Sequence, residues 1–392
     1  MPVASGMLGA FVTGYYLRMT ASHVANRDSR RAATVLSLCL PSDVLLYLIL
    51  PMHAEAFGIS LAEAGVLLAA NRLVRIFGYG YVVRGYARWG DRPVLMLAAL
   101  VAAGCALGNS LFSGFWTLLL MRLCWGLCFA AFNLSTQVLA TAEPGGAARR
   151  SGTSRAVIAI GPMLALPLGA LVALHFGPRP IFLILAVFCL AGVWVARGLP
   201  RAPHALSGPK RRFRRPDAVA VWSFIEGVAL DGLFIFGLSV LAQQVLGGNA
   251  VLIAGVLMAL RYASEMTLSP LGGWSAGQFG ASRMLLVFSL LTCLALMAFG
   301  FHWLIPGAGA VLILRALQLP LVVTLVAERN PGPERVQALA GNAVWRDVGA
   351  GIGPLLAGVL LPVASAPWVY SLAGLAIVVS ALACGQGRRS LH

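Results

Sequence analysis

The segments TLLLMRLCWG (117–126) and AVLILRALQL (310–319) each set one arginine inside an otherwise apolar run, and the two arginines lie 193 residues apart. A charged side chain near the middle of a membrane helix costs about 2.5–3.5 kcal/mol on insertion scales, so such residues are rare there and tend to serve function. Arg122 and Arg315 in matching surroundings point to an internal duplication. Other segments follow the same shift. AIGPMLAL (159–166) matches GIGPLLAG (351–358), pairing Gly161-Pro162 with Gly353-Pro354 at a shift of 192. ANRLVRIFGYGYVVRGYARWG (70–90) and LRYASEMTLSPLGGWSAGQFG (260–280) each carry an early arginine and end on glycine.

Composition says what is duplicated. Of 392 residues 59% are hydrophobic and 11% charged, and the mean hydropathy is +0.85. A soluble domain averages roughly 25% charged residues, so the chain falls in the membrane class. A spanning helix needs about 20 mostly apolar residues. Twelve such stretches are read, at 33–53, 62–83, 93–113, 115–140, 153–175, 180–199, 218–246, 249–272, 284–303, 305–327, 337–362 and 366–386. They are continuous rather than alternating, which excludes a membrane β-barrel. The expected fold is all-α, with twelve transmembrane helices in two six-helix halves.

The net charge of +16 is distributed in a way that excludes nucleic-acid binding. Arg27, Arg30 and Arg31 precede the first stretch, Arg84, Arg88 and Arg92 follow the second, Arg149 and Arg150 follow the fourth, and Arg201 to Arg215 follow the sixth. Arg283, Arg329, Arg335, Arg388 and Arg389 extend the same side, and the other side offers Arg179. By the positive-inside rule both termini are cytoplasmic, and the basic loops face anionic lipid headgroups. This predicts a multi-pass protein of a bacterial inner membrane, acting as a monomer. The seven cysteines fall in or at the ends of the stretches, so no disulfide framework is implied. Cys124 and Cys128 share a helix face without a nearby histidine, so no metal site and no cofactor are expected. The expected organisation is an N-terminal extension (1–30), a first half (31–199), a basic linker (200–217), a second half (218–386) and a tail (387–392). The leading MPVASGMLGAFVTGYYL is apolar but short and fits no span, whereas Met19 opens a polar leader.

A parallel six-plus-six repeat with a basic central loop is one transporter layout, with its substrate site at the midplane between halves. From about residue 30 to 386 the chain resembles the major facilitator superfamily. LLLMRLCWGLCFAAF (118–132) is similar to its helix-4 signature, with Arg122 and Gly126 at the marked positions. AIGPMLAL resembles the helix-5 signature of its antiporters, with Ala165 and Leu166 where glycines are usual. VRGYARWGDRPVL (83–95) resembles the signature between helices 2 and 3, with Ala87 in place of an acid and Val83 in place of a glycine; its second copy has Gly277 in place of the acid. The resemblance implies gating roles for Gly161, Pro162, Gly353 and Pro354, and for Gly90, Asp91 and Arg92.

Within the stretches Asp43, Glu226, Asp231 and Glu265 stand out as acids, and Arg72, Arg75, Arg122, Arg261 and Arg315 as bases. Groups of this kind must face a cavity or one another. Glu265 and Arg261, four apart on one helix face, read as a structural pair. Asp43 lies ten residues into LCLPSDVLLYLILP's helix, about 15 Å from its start at roughly 1.5 Å per residue, with Pro41 and Pro51 on either side. Burial raises a carboxylate's pKa and a neighbouring arginine lowers it, so a carboxyl balanced between them can load and release a proton as a cavity opens and closes. In the superfamily's drug/proton antiporters an acid of helix 1 beside the helix-4 arginine has that role, which the resemblance assigns to Asp43 and Arg122, with Asp231 as the counterpart in the second half. The substrate would meet Arg72, Arg261, Arg315, Glu226, Tyr47, Trp125, Asn133, Gln137, Tyr262 and Gln318. The resulting expectation is a transporter rather than an enzyme, exporting a small amphipathic molecule against protons, of drug or siderophore type, with the arginines leaning toward an anion. A proton-linked importer of an organic anion is the alternative, and a membrane enzyme or receptor would need a catalytic constellation that the sequence does not offer.

Overall fold

The computed structural model describes residues 22–143, 145–203, 216–235, 237–238 and 250–386. The leader (1–21), most of the basic linker (204–215) and the tail (387–392) therefore lie outside the described residues. Among the described residues the chain forms twelve long helices, two short 3-10 turns (Ala54–Phe57 and Gly332–Glu334) and no strand. The first, α1, runs over 22–39 and continues, after a break at Leu40, as Pro41–Met52. It starts ahead of the expected boundary at residue 31, because Asp28 pairs with Arg27 and Arg31, and Arg31 donates to the Gly198 carbonyl at 2.5 Å. Then follow α2 (Leu61–Trp89), α3 (Asp91–Leu111), α4 (Phe115–Ala140), α5 (Ala147–Phe176) and α6 (Pro180–Ala196). The seventh, α7, is α-helical over Ala218–Glu226 and π-helical over Gly227–Phe234. The remainder are α8 (Ala250–Phe279), α9 (Ala281–Gly300), α10 (Leu304–Arg329), α11 (Arg335–Val363) and α12 (Ala366–Gln386).

Eight of these helices are long and apolar enough to cross a membrane by length and composition. Four helices fall outside that count: α6 is a shorter apolar helix, α1 is broken ahead of Pro41, and the stretches read at 218–246 and 249–272, which hold α7 and α8, run partly outside the described residues. Pro41 lacks an N–H and cannot continue the ladder, so its segment begins anew and Asp43 falls in the first turn. In α2 the start is fixed by a reciprocal cap, Ser60 N donating to Glu63 Oε2 at 2.7 Å and Glu63 N donating to Ser60 Oγ at 3.3 Å.

Packing repeats along the chain. In the first six helices α1 meets α5, α2 meets α4, α3 meets α4 and α6; in the last six α7 meets α11, α8 meets α10, and α9 meets α10 and α12. The shift of six also exchanges the two main contacts between the sets, α5 with α8 and α11 with α2. Close helix approaches sit at glycines. A Cβ on Gly161 would lie 1.8 Å from the Ser37 carbonyl oxygen, joining α5 to α1; one on Gly353 would lie 2.5 Å from the Val228 carbonyl oxygen, joining α11 to α7. Where α5 crosses α8, a Cβ on Gly152 would be 2.4 Å from the Ser269 oxygen and one on Gly273 2.3 Å from the Ala148 oxygen. This crossing closes the interface at the end that carries the linker. Around the outside Phe77, Trp116, Trp194 and Trp368 are 72–78% exposed, an apolar surface suited to lipid.

Gly90 joins α2 to α3 at φ 75° and ψ −179°, a conformation essentially restricted to glycine. A Cβ there would be 2.6 Å from the Arg201 carbonyl oxygen, and Arg92 N donates to Pro200 O at 3.0 Å. Gly90→Ala should therefore detach the linker's first residues and cost about 1–3 kcal/mol, read as a lowered melting temperature in detergent. An unchanged melting temperature would contradict this account of the corner.

Candidate functional site

A cavity of ≈ 230 Å³ lies between the two sets of six helices. Its wall comes from α1, α2, α4 and α5 on one side and from α7, α8, α10 and α11 on the other.

On the first side Asp43 is 7% exposed and accepts from both Arg122 Nη1 and Asn71 Nδ2, the latter at 2.7 Å. Arg122, 1% exposed, stands behind the cavity wall; its Nε donates to the Leu67 carbonyl at 3.2 Å, and its guanidinium lies 5.2 Å from the centre of the Tyr47 ring. The pair thus has one edge, Asp43, on the cavity and one in the packed interior. Further along, Gln137 Nε2 donates to Asn133 Oδ1 at 3.1 Å and Asn133 Nδ2 to the Tyr79 hydroxyl at 3.0 Å, a polar chain along the wall.

On the second side three acids meet three arginines. Arg315, 3% exposed, donates to Glu265 at 2.6 Å and to Asp231 at 2.8 Å, with Glu226 at 3.6 Å. Arg346 donates to Glu226 at 3.1 Å and to Asp231 at 2.8 Å. Arg261 pairs with Glu265 at 3.4 Å and with Asp231 at 3.6 Å. Glu226 and Asp231 are five residues apart, a spacing that regular α-winding would splay. The intervening π-helical stretch brings i and i+5 to one face, and such stretches are frequent at functional sites. The polar wall on this side ends at Gln318, which donates to Thr292 Oγ1 at 3.0 Å.

Two contacts cross the cavity from α2 to α11: Arg75 pairs with Asp347 at 3.5 Å, and Arg72 Nη1 donates to the Ala350 carbonyl at 2.7 Å. At the linker end Arg335 donates to the carbonyls of Thr141 at 2.6 Å and Ala142 at 3.1 Å.

Several expectations change on this geometry. Trp125 does not line the cavity: its Nε1 donates to Ser42 Oγ at 2.9 Å and its ring stacks behind Phe129, at 5.8 Å. Arg261, Arg315 and Glu226 line it but are committed to one another, and Arg72 is committed to a backbone oxygen of the opposite set. Glu265 holds two arginines rather than Arg261 alone. Gly90 and Arg92 hold the linker, and Asp91, wholly buried, accepts from Ser135 Oγ at 2.7 Å; these contacts stay within the first six helices and the residues that follow them. Tyr47, Asn133, Gln137, Tyr262 and Gln318 are on the wall. Sequence reasoning passed over Asn71, Arg155, Arg346 and Asp347. The test applied to Asp43, an ionisable group well inside an apolar stretch, finds Arg346 and Asp347 within 337–362, whereas Arg155 stands only two residues past the start of 153–175 and reads as a helix-end cation. Asn71 gives no such signal.

The sequence profile described as the Major Facilitator Superfamily matches residues 32–260, more than half of the chain. The chain belongs to the major facilitator superfamily. Solved structures carry the likeness over nearly its whole length. The human organic anion transporter MFSD10 (TETRAN) is 18% identical, with a TM-score of 0.71 over 91% of this chain and 99% of that one. The proton:xylose symporter XylE, bound to 6-bromo-6-deoxy-D-glucose, is 13% identical, with a TM-score of 0.76 over 92% and 95%. The E. coli fucose:proton symporter FucP is 13% identical, with a TM-score of 0.74 over 93% and 98%. At such identities the likeness establishes the fold. This superfamily member is thus a multi-pass membrane protein with a transporter fold.

Proposed function

We propose that this superfamily member is a secondary transporter that works by alternating access and couples proton entry to export of a small amphipathic molecule. In this reading twelve helices span the inner membrane of a bacterium, the termini and the linker are cytoplasmic, and the sets 31–199 and 218–386 rock about the cavity. The observation that carries the proposal is the buried Asp43–Arg122 pair with its acid edge on the cavity. A carboxylate so placed can exchange a proton with the cavity without exposing its partner. Protonation cancels its attraction to Arg122 and frees the Arg122 side of α4 to shift against α1, whereas ionisation draws the two together. The counterpart Asp231 is engaged by three arginines of its own cluster, whereas Asp43 faces the cavity beside a single arginine.

A second reading, proton-linked import of an organic anion, is favoured by the arginines that cross the cavity from α2. Direction separates the two. In everted vesicles with an acidic lumen, aromatic carboxylates and aromatic amines are added one at a time while a lumenal dye reports pH. Export against protons gives a substrate-dependent alkalinisation of the lumen, and symport gives acidification. A panel that moves without any pH response would overturn proton coupling in either direction.

A further inference from the structure

The charges around the cavity divide into closed sets and a remainder. Arg122 pairs with Asp43, and Arg75 with Asp347. Arg261, Arg315 and Arg346 balance Glu226, Asp231 and Glu265, three against three. Two arginines of the wall, Arg72 and Arg155, have no carboxylate partner within ion-pair distance among the described residues. Arg72 is held by the Ala350 carbonyl. Arg155, on α5, has neither an ion pair nor a hydrogen bond among those residues. Its charged neighbours are Arg346, Glu265, Arg315 and Glu226, and the two acids among them are already engaged by the cluster.

We propose that Arg155 anchors an anionic group, a carboxylate or an equivalent oxyanion, of the transported molecule. The assignment rests on the transporter reading above and adds the substrate class and the residue that selects it. With all acids ionised, seven arginines against five carboxylates leave the cavity with two positive charges. Low-dielectric walls focus that potential on an anion that enters, and a guanidinium offers a planar fork of donors that matches a carboxylate. Arg155 lies on the helix that crosses α8, which carries Glu265, so an anion held by it would sit between the two sets of helices. An occupant there neutralises a charge that would otherwise be enclosed when the cavity closes, and enclosing an unpaired charge is strongly unfavourable. Loading would thereby favour the closed intermediate through which transport passes.

The test uses phthalate, a dianion, and its neutral analogue phthalamide, on the full-length protein in detergent, reading the melting temperature as each is titrated. Phthalate should stabilise the wild type and phthalamide should not. In Arg155→Gln the half-saturating phthalate concentration should rise by about tenfold or more, and the preference over phthalamide should vanish. Arg155→Lys, which keeps charge but not the fork, should recover part of both. A variant that melts as the wild type does and keeps the full preference would remove Arg155 from the role while leaving an anion-selective cavity. Equal stabilisation by the two compounds, or none by phthalate, would overturn the anionic assignment. Neither outcome touches proton coupling, which the vesicle pH response reads independently.

Discussion

Asp43→Asn should destabilise this protein more than Arg122→Gln does, and combining the two should restore stability toward the wild type. A guanidinium keeps its proton at any accessible pH. With Asp43 replaced by asparagine, Arg122 remains charged at 1% exposure and faces only neutral groups, the new amide oxygen, the Leu67 carbonyl and the Tyr47 ring. Breaking a buried pair from this side typically costs about 3–5 kcal/mol. With Arg122 gone, Asp43 can take up a proton, become neutral and keep its bond from Asn71. The loss then approaches that of one buried hydrogen bond, about 1–3 kcal/mol. The double variant leaves two amides able to bond each other and no charge. Melting temperatures of the four proteins at neutral pH check the order. Equal losses for the single variants, or additive losses in the double one, would show that the pair is not an enclosed charge couple.

Gly161→Ala and Gly353→Ala should cripple both folding and transport. At each site the new methyl would meet backbone rather than a movable side chain: the Ser37 oxygen at 1.8 Å for Gly161, and the Val228 oxygen and Gly232 Cα at 2.5 Å for Gly353. The Gly161 N–H also donates to Ser37 Oγ at 3.0 Å, so separating α5 from α1 breaks that bond as well. Overpacking of this kind costs about 1–3 kcal/mol, occasionally more, and here it falls on the joint of α5 with the helix that carries Asp43 and on that of α11 with the helix that carries Asp231. Gly80 and Gly104 have nothing within 4 Å of a built Cβ, and alanine at either helical site should be neutral or stabilising by up to about 1 kcal/mol. Expression and melting temperature of the four variants decide the matter. Tolerance at Gly161 and Gly353 equal to that at Gly80 and Gly104 would refute the close joint.

How far the sequence leads is clear from these same residues. The membrane class and the repeat follow from local signals, long apolar runs and a fixed shift near 192 residues; Asp43 stands out as a charge where lipid would expel it, and its pairing with Arg122 comes from the family resemblance. The Gly-Pro segments are legible because a shared pair of unusual residues at a constant offset has little other cause. The cluster around Arg315 is only half legible. Glu226 and Asp231 are visible as charges, yet their shared face depends on the π-helical winding of 227–234, which no periodicity of apolar residues announces. Arg346 and Asp347 are visible only as charges well inside 337–362, and nothing in that stretch says which residues they meet. Trp125 errs the other way. An aromatic on the arginine's helix suggests a cavity wall, but only the rotation of α4 shows that Phe129 fills that place and Trp125 stands behind it. The surplus positive charge on Arg72 and Arg155 is a property of the whole set of pairs and has no trace in any single segment.

The central claim, that Asp43 carries the coupled proton, is tested most directly by comparing two kinds of transport in proteoliposomes. The Asp43→Asn/Arg122→Gln protein, chosen because it leaves neither partner of that pair as an unpaired charge, is reconstituted beside the wild type with radiolabelled phthalate as cargo. Accumulation driven by an imposed pH gradient is measured against exchange of labelled for unlabelled phthalate at equal pH. The account predicts that the wild type accumulates and exchanges, with rates that depend on pH, while the double variant exchanges without accumulating and without that dependence. Gradient-driven accumulation by the double variant with the pH profile of the wild type would contradict it.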